Sequence, residues 1–346
     1  MACAWIPSTP RSLPQPEHPP TFRVVAVGGG TGLAVLLRAL KPSVDVEISD
    51  LVAIVTVSDD GGSSGRLRRE FGVPAPGDIR NCLVALADDE DLVARLFQYR
   101  FVSGDGLAGH SFGNLFLTAL TGITGDFSQA ILTAESILSV KGRILPATLS
   151  DVRLRGRGAS GRVYEGESAI GLSGEALAEI ALEPARPPAF PEAIEALEAA
   201  DVILLGPGSL YTSIVPNLLI PGILEALDRS NAEVVLVLNL MTQPGETDGL
   251  NAEGHIRALE RLAGKKFVDA VLAHGSTLPN GILERYAEVG AEPIEVVKQQ
   301  DWSGDLPRLV RADLAIEGEL IRHDPAKLRR AVVELATTRG TAGIRR

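Results

Sequence analysis

Gly28-Gly29-Gly30-Thr31-Gly32 is the first stretch of the chain whose residue types could do chemistry. Consecutive glycines let backbone amides approach a phosphate closely, and a helix N-terminus behind them adds partial positive charge. Gly28 and Gly30 fit the first two positions of a G-x-G-x-x-G dinucleotide fingerprint, but Leu33 takes the third, and no Lys follows as a P-loop requires. Thr31 adds a hydroxyl donor. A tight strand-to-helix turn without a ligand is the plainer account of the same residues.

Five more polar stretches invite the same question. In Asp59-Asp60-Gly61-Gly62-Ser63-Ser64-Gly65, adjacent carboxylates could hold Mg²⁺, orient a sugar hydroxyl, or cap the following turn. A dinucleotide fold wants its ribose acid about 20 residues after the glycines. Asp59 lies later, which weakens a nicotinamide reading. Pro76-Gly77-Asp78-Ile79-Arg80-Asn81 reads as a polar-group site or as a surface turn with an Asp–Arg pair. In His110-Ser111-Phe112-Gly113-Asn114, His110 has no identifiable acid partner and reads as a structural hydrogen-bonder, while Asn114 caps a helix or donates to a ligand. Gly206-Pro207-Gly208-Ser209 offers a second anion loop, and Asn239 and Gln243 on the next one offer uncharged amides that could read a base or sugar. Hydrolase readings fail: there is no G-x-S-x-G elbow and no H-E-x-x-H, and His255, His274 and His323 lie far apart.

These loops need elements to hold them. Phe22–Val27, Leu51–Val57, Asp201–Leu205, Val234–Leu238, Val268–Ala273 and Ile294–Val297 read as strands. Helical spacing marks Leu33–Leu40, Leu83–Tyr99, Leu115–Leu120, Ala130–Val140, Leu283–Val289 and Lys327–Ala336. Their alternation predicts an α/β fold with a Rossmann-like, mostly parallel sheet flanked by helices. Ligands of such sheets sit outside the carboxyl ends of the strands, where the polar loops fall. Residues 143–168 break the rhythm: Ile144–Leu154 and Arg162–Glu167 flank a Gly/Ser turn and predict a small antiparallel hairpin insertion. Its Arg153, Arg155, Arg157 and Arg162 read as the charged protection of a solvated edge strand, with anion binding as the alternative.

Composition narrows the function classes. The 346 residues carry 33 Lys and Arg against 44 Asp and Glu, a net charge of −11, which disfavours a nucleic-acid partner. Aromatics at 4% also argue against base-stacking platforms. Cys3 and Cys82 are the only cysteines, so a disulfide framework is excluded and a reducing cytoplasm is the expected setting. No apolar run is long enough to span a membrane. Six prolines within residues 1–21 predict a disordered tail, followed by a single α/β domain over 22–335 and a C-terminal tail over 336–346.

In this order the loops resemble the bacterial gluconeogenesis factor family (YvcK-like), within a superfamily shared with 2-phospho-L-lactate transferase (CofD-like). The resemblance adds Leu210-Tyr211-Thr212-Ser213 and Met241-Thr242-Gln243-Pro244-Gly245-Glu246-Thr247 to the loops and spans about residues 22–335. It implies a cytoplasmic protein that binds a UDP-sugar, UDP-N-acetylglucosamine, and acts as a regulator rather than an established catalyst. The implied role lies in cell shape and envelope precursor supply on gluconeogenic carbon, through a protein partner, and is compatible with a homo-oligomer. The alternative is Mg²⁺-dependent transfer of a phosphoryl-linked group, with Asp59 and Asp60 as metal ligands. The resemblance also assigns ligand contacts to Tyr286 and Arg322. The expected ligand set is therefore Gly29, Gly30, Thr31, Gly32, Asp59, Asp60, Ser63, Asn81, Asn114, Gly206, Gly208, Ser209, Asn239, Gln243, Tyr286 and Arg322.

Overall fold

Runs such as Val24–Val27 and Val202–Leu205 are apolar at every position and lack the alternation of a half-solvated sheet. Strands of that kind are stable only when covered on both faces. In the computed structural model, which describes residues 21–175, 177–297, 302, 305–316 and 320–342, they are buried at the centre of a seven-stranded parallel sheet. Its strands in chain order are β1 (Phe22–Gly28), β2 (Ile48–Val55), β3 (Arg143–Pro146), β7 (Val202–Leu205), β8 (Glu233–Val237), β9 (Ala270–His274) and β10 (Arg308–Ala312). Three further strands, β4 (Arg153–Gly158), β5 (Val163–Glu165) and β6 (Leu177–Glu183), form a separate antiparallel sheet, and β11 (Ala315–Ile316) pairs with β12 (Arg322–His323).

The spatial order of the main sheet is β10-β9-β8-β7-β1-β2-β3. From β1 the chain winds outward to β2 and β3, then returns to the other side of β1 and winds out through β7 to β10. The winding direction reverses between β1 and β7, which pair through Val24↔Val202 to Val27↔Leu205. A reversal of this kind opens a crevice at the strands' carboxyl ends. The crevice lies between the Gly28–Gly32 and Gly206–Ser209 loops.

The helices cover the sheet as their apolar spacing requires. Gly30–Leu40 buries Leu33, Leu36, Leu37 and Leu40 and packs on the last helix, Pro325–Ala342. There the Arg329 guanidinium reaches back to Ser43 Oγ and Glu47. Asn217 is fully buried, and its Nδ2 donates to Gly28 O at 3.2 Å and to Ser213 O at 2.8 Å. It thereby ties the end of β1 to the helical turn that follows β7.

Several expectations change. Leu83–Tyr99 is two helices, Gly77–Leu86 and Glu90–Gln98, because Ala87 is extended and Asp89 caps the second by accepting from Leu92 N. Arg143–Pro146 is no part of a hairpin; it is the outer parallel strand beside β2. The arginine-bearing β4 is not an edge but the middle of the small sheet, flanked by β5 and by β6, which was not anticipated. Its arginines occupy the alternate, solvent-facing positions. Residues 294–297 form no strand. The edge is β10, whose Arg308 and Arg311 hide it from a search for apolar runs. The last helix continues to Ala342. The proline-rich residues 1–20, and 343–346, lie outside the described residues. Among the described residues no single helix is long and apolar enough to cross a membrane.

Replacing Asn217 by Ala removes both ties from a dry site, where a lost hydrogen bond costs about 1–3 kcal/mol. The unfolding free energy from urea titration is expected to fall by that amount, seen as a lower midpoint with an unchanged slope. An unchanged midpoint would show that the tie between β1 and the β7 turn is dispensable.

Candidate functional site

The crevice is a cleft of about 490 Å³. One wall is the start of the helix Gly30–Leu40. Gly30 is left-handed, φ +62°, a conformation that costs a side-chain-bearing residue free energy. At Gly32 a Cβ would be driven into the carbonyl of Pro207, so the two loops approach backbone to backbone. The N-cap residue is Gly29, which has no side chain to cap the helix. The Gly30 amide is taken by the buried Asp78 carboxyl, which leaves the amides of Thr31 and Gly32 at the helix start.

The facing wall is the Gly206–Ser209 loop, held by the loop after β8. Asn239 clamps the Gly208 peptide, with Oδ1 accepting from its N–H at 3.0 Å and Nδ2 donating to its carbonyl at 2.9 Å. Gln243 Nε2 donates to Ser209 Oγ at 2.7 Å. Asn239 and the Gly208 amide are thus occupied with one another, and both residues shape the cleft. Ser209, with its hydroxyl proton free to donate, offers the polar contact. Gly206 is expected in the ligand set but is buried in the turn, with its N–H on Val27 O, and does not line the cleft.

The third wall comes from the C-terminal part of the chain. Ile321 N donates to Tyr286 Oη at 3.0 Å, which anchors the segment that carries Arg322 and His323 into the cleft. Arg322 is exposed and has no ion-pair partner among the described residues. His323 is buried with Nε2 against Leu238 O, and burial pushes it down to about 4, so it is neutral. Arg322 is therefore the single positive charge among the described lining residues.

Acids stand close by. Glu167, at the end of the small sheet, lines the cleft, and its Oε2 is buried without a partner. Burial, then the charges of Asp78 and Asp59, push it up to about 9. Asp78 is pushed up to about 7 by burial and by Asp59, against the opposing Gly30 amide. Glu246 rises to about 6 through burial, opposed by its bonds to Tyr211 and Thr212. At neutral pH, Glu167 holds its proton, so the cleft is less negative than its residue types suggest. Sequence reasoning missed Glu167, which sits in no motif, and passed over Asp78 inside one.

Ten of the sixteen expected residues line this cleft: Gly29, Gly30, Thr31, Gly32, Gly208, Ser209, Asn239, Gln243, Tyr286 and Arg322. Asp59, Ser63, Asn81 and Asn114 line a separate hollow of about 190 Å³. Asp60 lines a third, beside Arg68 and Arg153. The two adjacent carboxylates diverge: Asp59 Oδ1 accepts from Gly61 N, and Asp60 Oδ1 from the Ser168 amide and hydroxyl. Asp59 and Asp60 thus have separate hydrogen-bond partners and line separate hollows. Among the described residues no group of three or more His, Cys, Asp or Glu is placed to hold a metal.

Comparison with known proteins agrees with the fold. The sequence profile of the family described as 2-phospho-L-lactate transferase CofD matches residues 24–314. A putative gluconeogenesis factor from a Nostoc species is 50% identical over 319 residues, covering 90% of this chain and 68% of that one. The gluconeogenesis factor of Bacillus subtilis is 44% identical over 313 residues, covering 90% and 98%. A crystal structure of a UPF0052 family member from Bacillus halodurans superposes with a TM-score of 0.85 at 43% identity, covering 91% of this chain and 99% of that one.

The raised carboxyls fix a sign for pH dependence. Asp78, Glu167 and Glu246 keep protons in the folded protein that the unfolded chain releases near its ordinary values of 3.8–4.5. Their contribution to stability is complete below those values and is lost as pH rises through about 6, 7 and 9. The urea midpoint is expected to fall across that range, and Glu167→Gln to flatten the alkaline part of the fall. A midpoint that rises with pH there would contradict the burial of these groups.

Proposed function

This chain belongs to the CofD family, among its gluconeogenesis factors, and we propose that it is a regulatory protein whose main cleft binds a UDP-sugar, UDP-N-acetylglucosamine. One observation carries the reading: Gly30–Gly32, Ser209, Tyr286 and Arg322, distant in sequence, meet in one cleft at the reversal of strand order. A diphosphate suits the uncapped helix start, where amides and the helix dipole supply partial positive charge without a lysine. Arg322 is free to neutralise the second phosphate as a charge-assisted donor. Tyr286 spends its hydroxyl on Ile321, so it offers a ligand its ring, which suits an aromatic base. Asn239 and Gln243 act one step back by holding Gly208 and Ser209 in place.

In this reading the protein is cytoplasmic, and ligand occupancy biases a surface read by a protein partner in envelope precursor metabolism. Such a sensor requires that its two states differ in affinity for the ligand. The link to cell shape and to growth on gluconeogenic carbon rests on the resemblance and on the relatives' names.

Melting the protein with UDP-N-acetylglucosamine, GTP, NAD or a deazaflavin, each with and without Mg²⁺, tests the proposal. At 100 times its Kd a true ligand adds about 2.7 kcal/mol of stability. That gain is expected for UDP-N-acetylglucosamine and is expected to vanish in Tyr286→Ala and Arg322→Ala. Stabilisation by NAD alone, or by a deazaflavin only with Mg²⁺, would overturn it.

A further inference from the structure

Behind the main cleft, with Asp78 in the partition, lies the hollow of about 190 Å³ that contains Asp59, Ser63, Asn81 and Asn114. Ligand pockets for whole nucleotides run to several hundred Å³. This one fits a single small polar group. We propose that it is a second ligand site, which takes the phosphoryl group of a small phosphorylated metabolite or of free phosphate, and that it works whether or not the main cleft binds a nucleotide-sugar.

Two guanidinium groups make the case first. Arg80 and Arg100 both line the hollow, and neither has an ion-pair partner among the described residues. Arg80 donates to Ser111 Oγ at 3.1 Å and to Asn81 Oδ1 at 2.8 Å, while its buried Nε has no partner. Arg100 donates to the Gly109 carbonyl. Burial and then the charge of Arg100 pull the Arg80 pKa down, against the opposing charges of Asp59 and Asp78, so two cations and two acids border one small space. Guanidinium forks are the usual recognition element for a phosphoryl group.

Two further observations are independent of that charge. The ten-residue helix Gly62–Phe71 opens on the hollow with no side-chain cap, so its first amides are available to an oxyanion. Asn114, only 3% exposed, donates through Nδ2 to Ser64 Oγ, and its buried Oδ1 has no partner. A buried polar atom left alone costs free energy that a ligand hydroxyl would recover. A protonated phosphate oxygen, or the hydroxyl neighbouring a phosphate ester, supplies that donor. Asp59 and Asp78, the latter pushed up to about 7 and so only partly ionised at neutral pH, are the opposing charges. Asp59 Oδ1 is tied to Gly61 N, and the presence of these acids favours one phosphoryl group over a polyphosphate. Ser63 is held by His110 Nδ1 at 3.0 Å, which keeps its hydroxyl in a fixed place on the wall.

The test is calorimetric titration of the full chain with inorganic phosphate and, separately, with glycerol 3-phosphate. UDP-N-acetylglucosamine is titrated in parallel. Saturable binding of one phosphate compound per chain is expected, and whichever of the two binds more tightly identifies the source of the group. Arg100→Ala alters an exposed side chain and should fold, as its melting temperature will report. It is expected to weaken phosphate binding about tenfold or more. Asn114→Asp, which puts a like charge in the hollow, should do the same. Binding of UDP-N-acetylglucosamine by the Arg100→Ala protein should match the parent. No saturable binding of either phosphate compound would overturn the proposal, as would equal binding by Arg100→Ala. Competition between phosphate and UDP-N-acetylglucosamine would also overturn it, by placing the anion in the main cleft. If the nucleotide-sugar fails to bind at all, the phosphate titrations still read the hollow by themselves.

Discussion

Two backbone turns pressed together at the centre of a parallel sheet set the terms for everything around them. The turn after β1 meets the turn after β7 so closely that position 32 has no room for a Cβ beside the Pro207 carbonyl. Asn239 locks the second turn by pairing with both ends of the Gly208 peptide. Asn217 ties the first to the helical turn beyond the second. The walls nearest the sheet are therefore main chain. Their positive potential comes from peptide dipoles at a helix start, fixed by the fold and costing no side-chain entropy.

That arrangement would let an acidic protein take the acidic ligand proposed for it. A net charge of −11 would repel an anion at long range, but screening shortens that reach to about 8–10 Å at physiological salt. Local fields then decide. Burial keeps the proton on Glu167 and leaves Asp78 titrating near neutrality. His323 stays neutral, and Arg322 adds one full positive charge at the rim. Electrostatics at the site is thus tuned as much by which groups are denied charge as by which carry it.

Much of this was legible in the residues. Apolar runs ending in glycine turns gave the parallel strands, and the placement of polar loops at those ends gave most of the main cleft. Four losses have physical reasons. The edge strand Arg308–Ala312 is solvated and charged, so it carries no apolar signature. The small sheet pairs its middle strand with β6, from Gly158↔Leu177 to Arg153↔Glu183, a partnership that local pattern does not encode. Adjacent Asp59 and Asp60 look like a unit in sequence, yet in this loop their side chains turn to different partners. Glu167 and Arg100 belong to no motif and become visible only when the chain folds them against Asp78 and Arg80. Tyr286 and Arg322 came from the family resemblance, since each reads as a surface residue by itself.

The most direct measurement is a crystal structure of the protein grown with UDP-N-acetylglucosamine. Its diphosphate is expected over the start of the helix Gly30–Leu40, between Gly32 and Ser209 and within reach of Arg322, with Asn239 still clamping Gly208. A diphosphate seated in the Arg80–Arg100 hollow, or anywhere off the rim between β1 and β7, would contradict the idea that paired main-chain turns create the anion site.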